Sequence, residues 1–125
     1  MHMGYFYAIA AAVAWGFVYA VDQRILDKIS PSLLILINSI FSIIVLVPIL
    51  LYSEEFKTIA SIDRSTRKFV AISLVGVLIA SLLILTAIKH LGSSKAAIFE
   101  IAYPFFVVIF SMLFFNTQIN GYFLL

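Results

Sequence analysis

The stretch AAIFEIAYPFFVVIFSMLFF, residues Ala96–Phe115, decides the fold class of this chain. It is 20 residues long and contains a single charged side chain, that of Glu100. An α-helix needs about 20 mainly apolar residues to cross the hydrocarbon core of a bilayer, which is about 30 Å thick. The stretch therefore predicts a membrane-spanning helix that carries one acid.

The remaining charged residues show that the rest of the chain is organised in the same way. Thirteen of the 14 charged side chains lie in three polar clusters, Asp22–Lys28, Glu54–Lys68 and Lys89–Lys95. Apolar runs long enough to span a bilayer separate these clusters. The three further predicted spans are Gly4–Val21, Pro31–Tyr52 and Phe69–Ile88.

Composition supports an all-α transmembrane bundle. The chain is 64% hydrophobic and 11% charged, with a mean hydropathy of +1.16, whereas a soluble domain is about half apolar and a quarter charged. Helices satisfy their own backbone hydrogen bonds in lipid, and the alternating pattern of barrel strands is absent. We expect one domain over residues 1–125, with four complete helices and the start of a fifth at Gly121–Leu125.

Several other classes of function are disfavoured by the composition. The chain has no cysteine, and its two histidines match no metal-binding spacing. No nucleophile–base pair or phosphate-binding loop is visible, so no enzyme activity, cofactor or metal is expected. The net charge of +2 is too small to indicate nucleic-acid binding.

Membrane orientation is weakly encoded. The first apolar run lacks a preceding basic residue and is long enough to span, so we interpret it as a retained helix rather than a cleaved signal. The positive-inside rule counts Lys and Arg near the ends of spans, and here four lie on each side. Lys57, Arg64, Arg67 and Lys68 share the side of the N-terminus, and Arg24, Lys28, Lys89 and Lys95 lie opposite.

Glu100 is the main candidate for a functional residue. An intramembrane acid costs about 2.5–3.5 kcal/mol on insertion scales and normally faces a bundle interior or a water-filled cavity. A site for a proton or a cationic substrate is the functional interpretation; the structural alternative is a position near the headgroups, because Lys95 is only five residues away. Tyr103 lies three residues on, nearly on the same helix face, and is expected to line a pocket with Glu100.

Two prolines are predicted to bend helices. Pro104 cannot donate to the carbonyl group four residues earlier, which belongs to Glu100, so that oxygen is expected to be free. Pro48 has the same potential within the second span. Ser30-Pro31 is typical of a helix start, and Ser93 and Ser94 are candidate caps of the fourth helix.

Small and polar residues within the spans have two interpretations each. Small residues spaced by four predict close helix packing, or a face that slides during a conformational cycle. Asn38, with Ser42 on its face, either bonds across helices or contacts substrate, and Trp15 is a candidate pocket wall. The small-residue positions are Gly4, Ala8, Ala12, Gly16 and Ala20 in the first helix and Gly76 and Ala80 in the third.

The loop Ser53–Lys68 is the longest connection between the predicted spans. Phe56, Ile59 and Ala60 are spaced as on one side of a helix turn, which predicts a short amphipathic segment at the membrane surface. A plain solvated loop is the alternative.

Several short motifs resemble those of the EamA-like repeat of the drug/metabolite transporter superfamily. They cover nearly the whole chain, although Asn38 and Asn116-Thr117 stand where the family often has charged residues. The most specific is AIKHLGSSKAA, which joins the third and fourth helices. The motifs are AWGF at 14–17, SP at 30–31, AIKHLGSSKAA at 87–97, YPFF at 103–106 and LFF at 113–115.

The resemblance implies a multi-pass inner-membrane transporter of small metabolites or drugs that uses alternating access, with proton coupling as one option. Its partners would be membrane lipids, a small-molecule substrate, and a second repeat or a second copy in a homodimer, for which an antiparallel arrangement is the natural one. A small multidrug-resistance-like exporter of lipophilic cations is an alternative. A further alternative is a non-transporting scaffold or half-subunit of a larger assembly.

Overall fold

The computed structural model describes residues 2–115 and shows a helical chain, with no strand in that range. The expected polar turn Asn116–Asn120 and the start of a helix at Gly121–Leu125 lie outside the described residues. The elements are α1 (His2–Ile25), α2 (Pro31–Ser53), α3 (Lys57–Ser61), α4 (Arg64–Leu91), α5 (Ser93–Phe99), a 3-10 turn (Glu100–Ala102) and α6 (Tyr103–Phe115).

The four predicted spans are confirmed. Met3–Ile25, Pro31–Ser53, Arg64–Leu91 and Ser93–Phe114 are long and apolar enough to cross a membrane. The first and third are longer than predicted, because the helices continue into the polar clusters that flank the apolar runs. Asp22 thus belongs to α1 rather than to a loop.

The fourth span is interrupted just before Pro104. The 3-10 turn Glu100–Ala102 separates α5 from α6, and Pro104 lies at the second position of α6. The expectation of a free carbonyl group at Glu100 is wrong, because the N–H of Tyr103 donates to that oxygen. A 3-10 bond reaches back three residues instead of four, so the neighbour of Pro104 supplies the donor that proline lacks.

The start of α2 follows the sequence signal. The hydroxyl oxygen of Ser30 accepts a hydrogen bond from the N–H of Leu33 at 3.2 Å, and Pro31 occupies the first helical position. Pro48 lies inside α2, which continues on both sides of it, and the bend expected there stays a prediction. In the long connection, the short helix α3 forms where an amphipathic turn is predicted.

The helices pack tightly at one end of the bundle. The buried apolar side chains lie beside the α1–α2 and α4–α5 connections, and α4 contacts α1, α2 and α5. Away from this end most large apolar side chains are exposed, as expected where lipid is the solvent. The apolar core consists of Leu26, Leu34, Leu85, Ile88 and Ala96.

The glycines of the small-residue positions face open space. A Cβ atom added at Gly4, Gly16 or Gly76 would meet nothing within 4 Å. These three positions therefore bring together no two helices within residues 2–115, and their role in packing stays a prediction.

Candidate functional site

Glu100 is held at the junction between α5 and α6 by a hydrogen bond from another helix. The hydroxyl oxygen of Tyr19, in α1, lies 3.0 Å from Oε2 and 3.2 Å from Oε1 of Glu100. Glu100 is half-buried, so its carboxyl group is neither turned fully outward nor enclosed. The carboxyl group of Glu100 therefore faces α1, and its hydrogen-bond partner there is Tyr19.

An open groove of about 380 Å³ lies beside this carboxyl group. Glu100 contributes the acid in a lining that is otherwise apolar. The groove runs between α4 and α5, and Ala80 of the predicted small-residue set lines it. The other lining residues are Leu83, Ile84, Ala87, Leu91, Ala96 and Phe99.

One face of α1 carries Tyr19, Gln23 and Leu26, which contact the other helices or the apolar core. Trp15, Tyr19, Asp22 and Leu26 follow one another at spacings of three or four residues and therefore share that face, and Gln23 lies four residues after Tyr19 at its edge. The ring of Trp15 lies against that of Tyr19 with centroids 6.0 Å apart. The small-residue positions Gly16 and Ala20 each follow Trp15 and Tyr19 by one residue. Their face is therefore rotated by about 100° around the helix axis from the face that carries Trp15 and Tyr19.

A second pair of hydrogen bonds joins α1 to the start of α5. Oε1 of Gln23 accepts from both the N–H and the hydroxyl group of Ser93, each at 2.7 Å. The side chain of Ser93 makes no capping bond to its own helix, so its predicted cap role is wrong. Instead, Gln23 satisfies a first-turn N–H of α5 from outside that helix.

Gly92 makes this junction possible. It links α4 to α5 with φ of +87° and ψ of 160°, a backbone conformation that is essentially restricted to glycine. An added Cβ atom would lie 3.5 Å from Oε1 of Gln23, an ordinary contact distance. The backbone conformation, rather than lack of space, is therefore the reason for glycine here.

Asp22 is buried at the same end of the bundle. Its exposed fraction is 7%, and its carboxyl group makes no hydrogen bond or ion pair with a described residue. No fully enclosed side-chain oxygen among the described residues lacks a hydrogen-bond partner, so the carboxyl oxygens of Asp22 still reach the surface of the bundle. It follows Tyr19 by three residues, so the two lie one helical turn apart. Neither residue was singled out from the sequence; the spacing of Tyr19 from Trp15 and of Asp22 from Tyr19 was the available signal.

The other predicted site residues lie away from the groove. Tyr103 is 64% exposed and Trp15 is 61% exposed, and neither lines the groove. Asn38 is exposed on α2, and the hydroxyl group of Ser42 donates to its backbone oxygen within that helix rather than across helices. The ring of Trp15 contacts that of Tyr19, and Tyr19 in turn donates to Glu100.

The chemistry available at this site is that of one carboxyl group beside an apolar surface. Such a group can bind a proton or pair with an organic cation whose apolar part lies in the groove. Among the described residues no group of three or more His, Cys, Asp or Glu side chains is placed to hold a metal ion.

Four helices long and apolar enough to span a bilayer, with an acid hydrogen-bonded between two of them, define a multi-pass membrane protein. The sequence model of the EamA-like transporter family matches residues 2–125. The chain therefore belongs to the EamA-like transporter family, whose members are membrane transporters of small substrates rather than enzymes. No curated protein and no solved structure is similar enough to match the chain.

Proposed function

We propose that the chain is a secondary transporter that moves small organic solutes by alternating access and binds a proton or the cationic part of its substrate at Glu100. The observation that supports this most directly is the position of Glu100. Its half-buried carboxyl group borders an apolar groove and accepts a hydrogen bond from Tyr19 of a different helix. A charged group within a membrane is costly, so an acid in that position is better explained by ligand binding than by helix packing.

The lining of the groove favours lipophilic cations as substrates. Seven apolar residues and one acid match a molecule with a delocalised positive charge and a large apolar body. A strongly hydrated solute would have to lose more bound water than a lipophilic cation in order to bind in the same apolar groove. Export of such cations from the cell, across the inner membrane, is therefore the second candidate function.

The test is uptake into proteoliposomes with an imposed pH gradient. Tetraphenylphosphonium represents lipophilic cations, lysine represents hydrophilic cations, and threonine represents zwitterions. We expect uptake of at least one of these solutes to fall about tenfold or more in Glu100→Gln, because the carboxylate is the charged binding group. Glu55→Gln is the matched control, because Glu55 is exposed on the α2–α3 connection.

Two results would contradict the proposal. Equal uptake by the parent and Glu100→Gln would remove Glu100 from the mechanism. A parent protein that moves none of the three solutes, while Glu100→Gln changes thermal stability or self-association, would favour the alternative of a non-transporting scaffold.

We further propose that a second copy of the chain, in antiparallel orientation, completes the transporter. Within the described residues α6 packs mainly on the adjacent 3-10 turn and leaves its apolar surface free. The equal distribution of Lys and Arg between the two sides is compatible with insertion in both orientations.

The orientation can be measured because the chain has no cysteine. Glu55→Cys would be labelled with a membrane-impermeant maleimide in intact cells. We expect about half of the molecules to react from outside if both orientations occur equally. Labelling from one side only would contradict the antiparallel copy and favour completion by a second repeat of fixed orientation.

A further inference from the structure

Three basic side chains lie together on one side of α4, at its start. Arg67 and Lys68 follow Arg64 by three and four residues, so the three lie within about 100° around the helix axis. All three are exposed. We call these three residues the basic cluster.

No described acid neutralises the basic cluster. The ion pair found among the described residues joins Lys57 to Glu54 and leaves the cluster out. Asp63, just before the cluster, is engaged as the helix cap, with Oδ1 accepting from the N–H of Thr66. The three basic side chains make no hydrogen bond or ion pair with a described residue. They are therefore free to bind an anion from outside the chain.

The length of α4 places the basic cluster at the level of the lipid headgroups. The helix has 28 residues and is therefore about 42 Å long, whereas the hydrocarbon core of a bilayer is about 30 Å thick and the bilayer with its headgroups about 40–45 Å. The apolar part of α4 begins at Phe69, directly after Lys68. The basic side chains thus lie where the phosphate groups of phospholipids lie.

The same side of α4 continues toward the membrane centre as an apolar surface. Ala71, Val75 and Leu78 follow Lys68 at successive spacings of three, four and three residues, and we call them the acyl surface. Val75 is 60% exposed and Leu78 is 50% exposed. Exposed apolar side chains at this depth contact the acyl chains of lipids. One side of a single helix therefore offers cations at headgroup level and apolar side chains directly beneath them.

We propose that this side of α4 is a binding site for an anionic phospholipid, with the headgroup phosphate at the basic cluster and an acyl chain along the acyl surface. Arginine binds phosphate through two parallel hydrogen bonds, and lysine adds a point charge. A zwitterionic phospholipid carries its own cation, which competes with the cluster for the phosphate. A soluble polyanion would leave the acyl surface unused. This site is separate from Glu100 and does not depend on the transport proposed above.

The experiment moves the chain's single tryptophan to the site. Trp15→Phe combined with Ala71→Trp places the fluorophore in the acyl surface, three residues from Lys68. The full chain is reconstituted in vesicles of equal parts phosphatidylglycerol and phosphatidylcholine, in which one lipid or the other carries bromine on its acyl chains. Bromine quenches a tryptophan that it contacts, so the ratio of the two quenching efficiencies reports which lipid lies at position 71. Both leaflets have the same composition, so the orientation of the chain does not affect the result.

Phosphatidylglycerol should be enriched at position 71. A Lys or Arg near an anionic membrane surface strengthens association by roughly fivefold, so we expect an enrichment of about fivefold or more over phosphatidylcholine. Raising the salt concentration from about 0.1 M to about 1 M shortens the Debye length from about 10 Å to about 3 Å and should reduce the enrichment. Trp15 in the unmodified chain is the control reporter, since it is 61% exposed on a different helix, and should show less than about twofold enrichment.

The decisive comparison removes the three charges of the basic cluster. The combined change Arg64→Gln, Arg67→Gln and Lys68→Gln should lower the enrichment at position 71 to less than about twofold. The matched control neutralises three exposed basic residues at the opposite end of the bundle and should retain the enrichment. Its changes are Lys28→Gln, Lys89→Gln and Lys95→Gln.

Two further variants protect the test against a failure to fold. Arg67→Glu changes one residue and should by itself lower the enrichment, and Val75→Trp is a second reporter one turn further along the acyl surface. Equal quenching by the two brominated lipids in the parent reporter, or an enrichment that survives the triple change, would overturn the proposal. Weak quenching by both lipids, as expected if a second copy of the chain covers this side of α4, would also overturn it.

Discussion

Oε1 of Gln23 lies 2.7 Å from both the backbone nitrogen and the hydroxyl oxygen of Ser93, and this contact fixes the end of α1 against the start of α5. One turn earlier on α1, Tyr19 contacts Glu100, seven residues beyond Ser93. Two hydrogen-bonded contacts on one face of α1 thus set the register between these antiparallel helices. The position of the acid beside the groove is a consequence of that register.

Tyr19 and Glu100 should be energetically coupled. A thermal-unfolding double-mutant cycle with Tyr19→Phe and Glu100→Ala in detergent should give an interaction energy of roughly 1–3 kcal/mol, because hydrogen bonds to charged groups are the stronger ones. Tyr52→Phe is the control, since Tyr52 is exposed and has no side-chain hydrogen bond among the described contacts. Additive effects of the two changes would show that this hydrogen bond is not present in the membrane protein.

Gly92→Ala should destabilise the junction between α4 and α5. The backbone conformation at Gly92 is essentially restricted to glycine, and imposing it on alanine costs about 1–3 kcal/mol. Thermal unfolding in detergent measures the loss. Gly76→Ala is the matched control and should be neutral or stabilising by up to about 1 kcal/mol, because Gly76 lies inside a helix with open space at its Cβ position. A similar loss in both variants would contradict the special role of Gly92.

Ile88→Ala should lower stability more than the same change on the exposed side of the same helix. Ile88 is 1% exposed in the core, whereas Ile79 is 53% exposed. The loss at position 88 is expected to be roughly 1–3 kcal/mol, below the largest values for soluble cores, because lipid is itself apolar and packing alone drives helix association. The measurement is thermal unfolding in detergent, and equal losses for Ile88→Ala and Ile79→Ala would show that this end is not packed.

The start of α4 should loosen at low pH. Oδ1 of Asp63 accepts from the N–H of Thr66 at 3.2 Å, and hydrogen bonds from Thr66 lower the pKa of this carboxyl group below its ordinary value of 3.8. Because the pKa of Asp63 is lower in the folded chain, the ionised cap stabilises the helix at pH values above the ordinary pKa. This stabilisation is lost as the pH falls through the lowered pKa. Amide exchange in the first turn of α4, corrected for intrinsic rates, should therefore accelerate in strong acid.

Two comparisons isolate that effect. Asp63→Asn keeps a capping side chain without a titrating group, so its corrected exchange should not respond to acid. The first turn of α2 is capped by Ser30, which does not titrate, and serves as the internal reference. Equal acid sensitivity in both first turns would assign the effect to general loosening rather than to Asp63.

The number of spans and the fold class could be predicted from the sequence because both depend on local properties. Run length and hydropathy report how each segment partitions into lipid, and the four spans agree with the structure. Ser30-Pro31 likewise predicted the start of α2, since a cap is formed by residues that are neighbours in the chain. The same local argument failed at Glu100, where a 3-10 bond from Tyr103 supplies the donor that Pro104 lacks.

The site itself was only partly predictable. An acid in an apolar run is conspicuous, so the sequence points to Glu100, but spacing within one helix predicts Tyr103 as its companion. Its actual partner, Tyr19, is 81 residues away in the sequence. The sequence predicts Ser93 as a cap of its own helix, whereas its hydroxyl group donates to Gln23 of α1.

By itself, the sequence determined that this chain is a bundle of spanning helices with one acid inside a span, because the transfer of each segment into lipid depends on that segment alone. The tertiary structure decided which residue meets that acid, which end of the bundle is packed and that Asp22 lies at that packed end. These features depend on the register between α1 and α5, and that register is set by contacts between residues far apart in the chain.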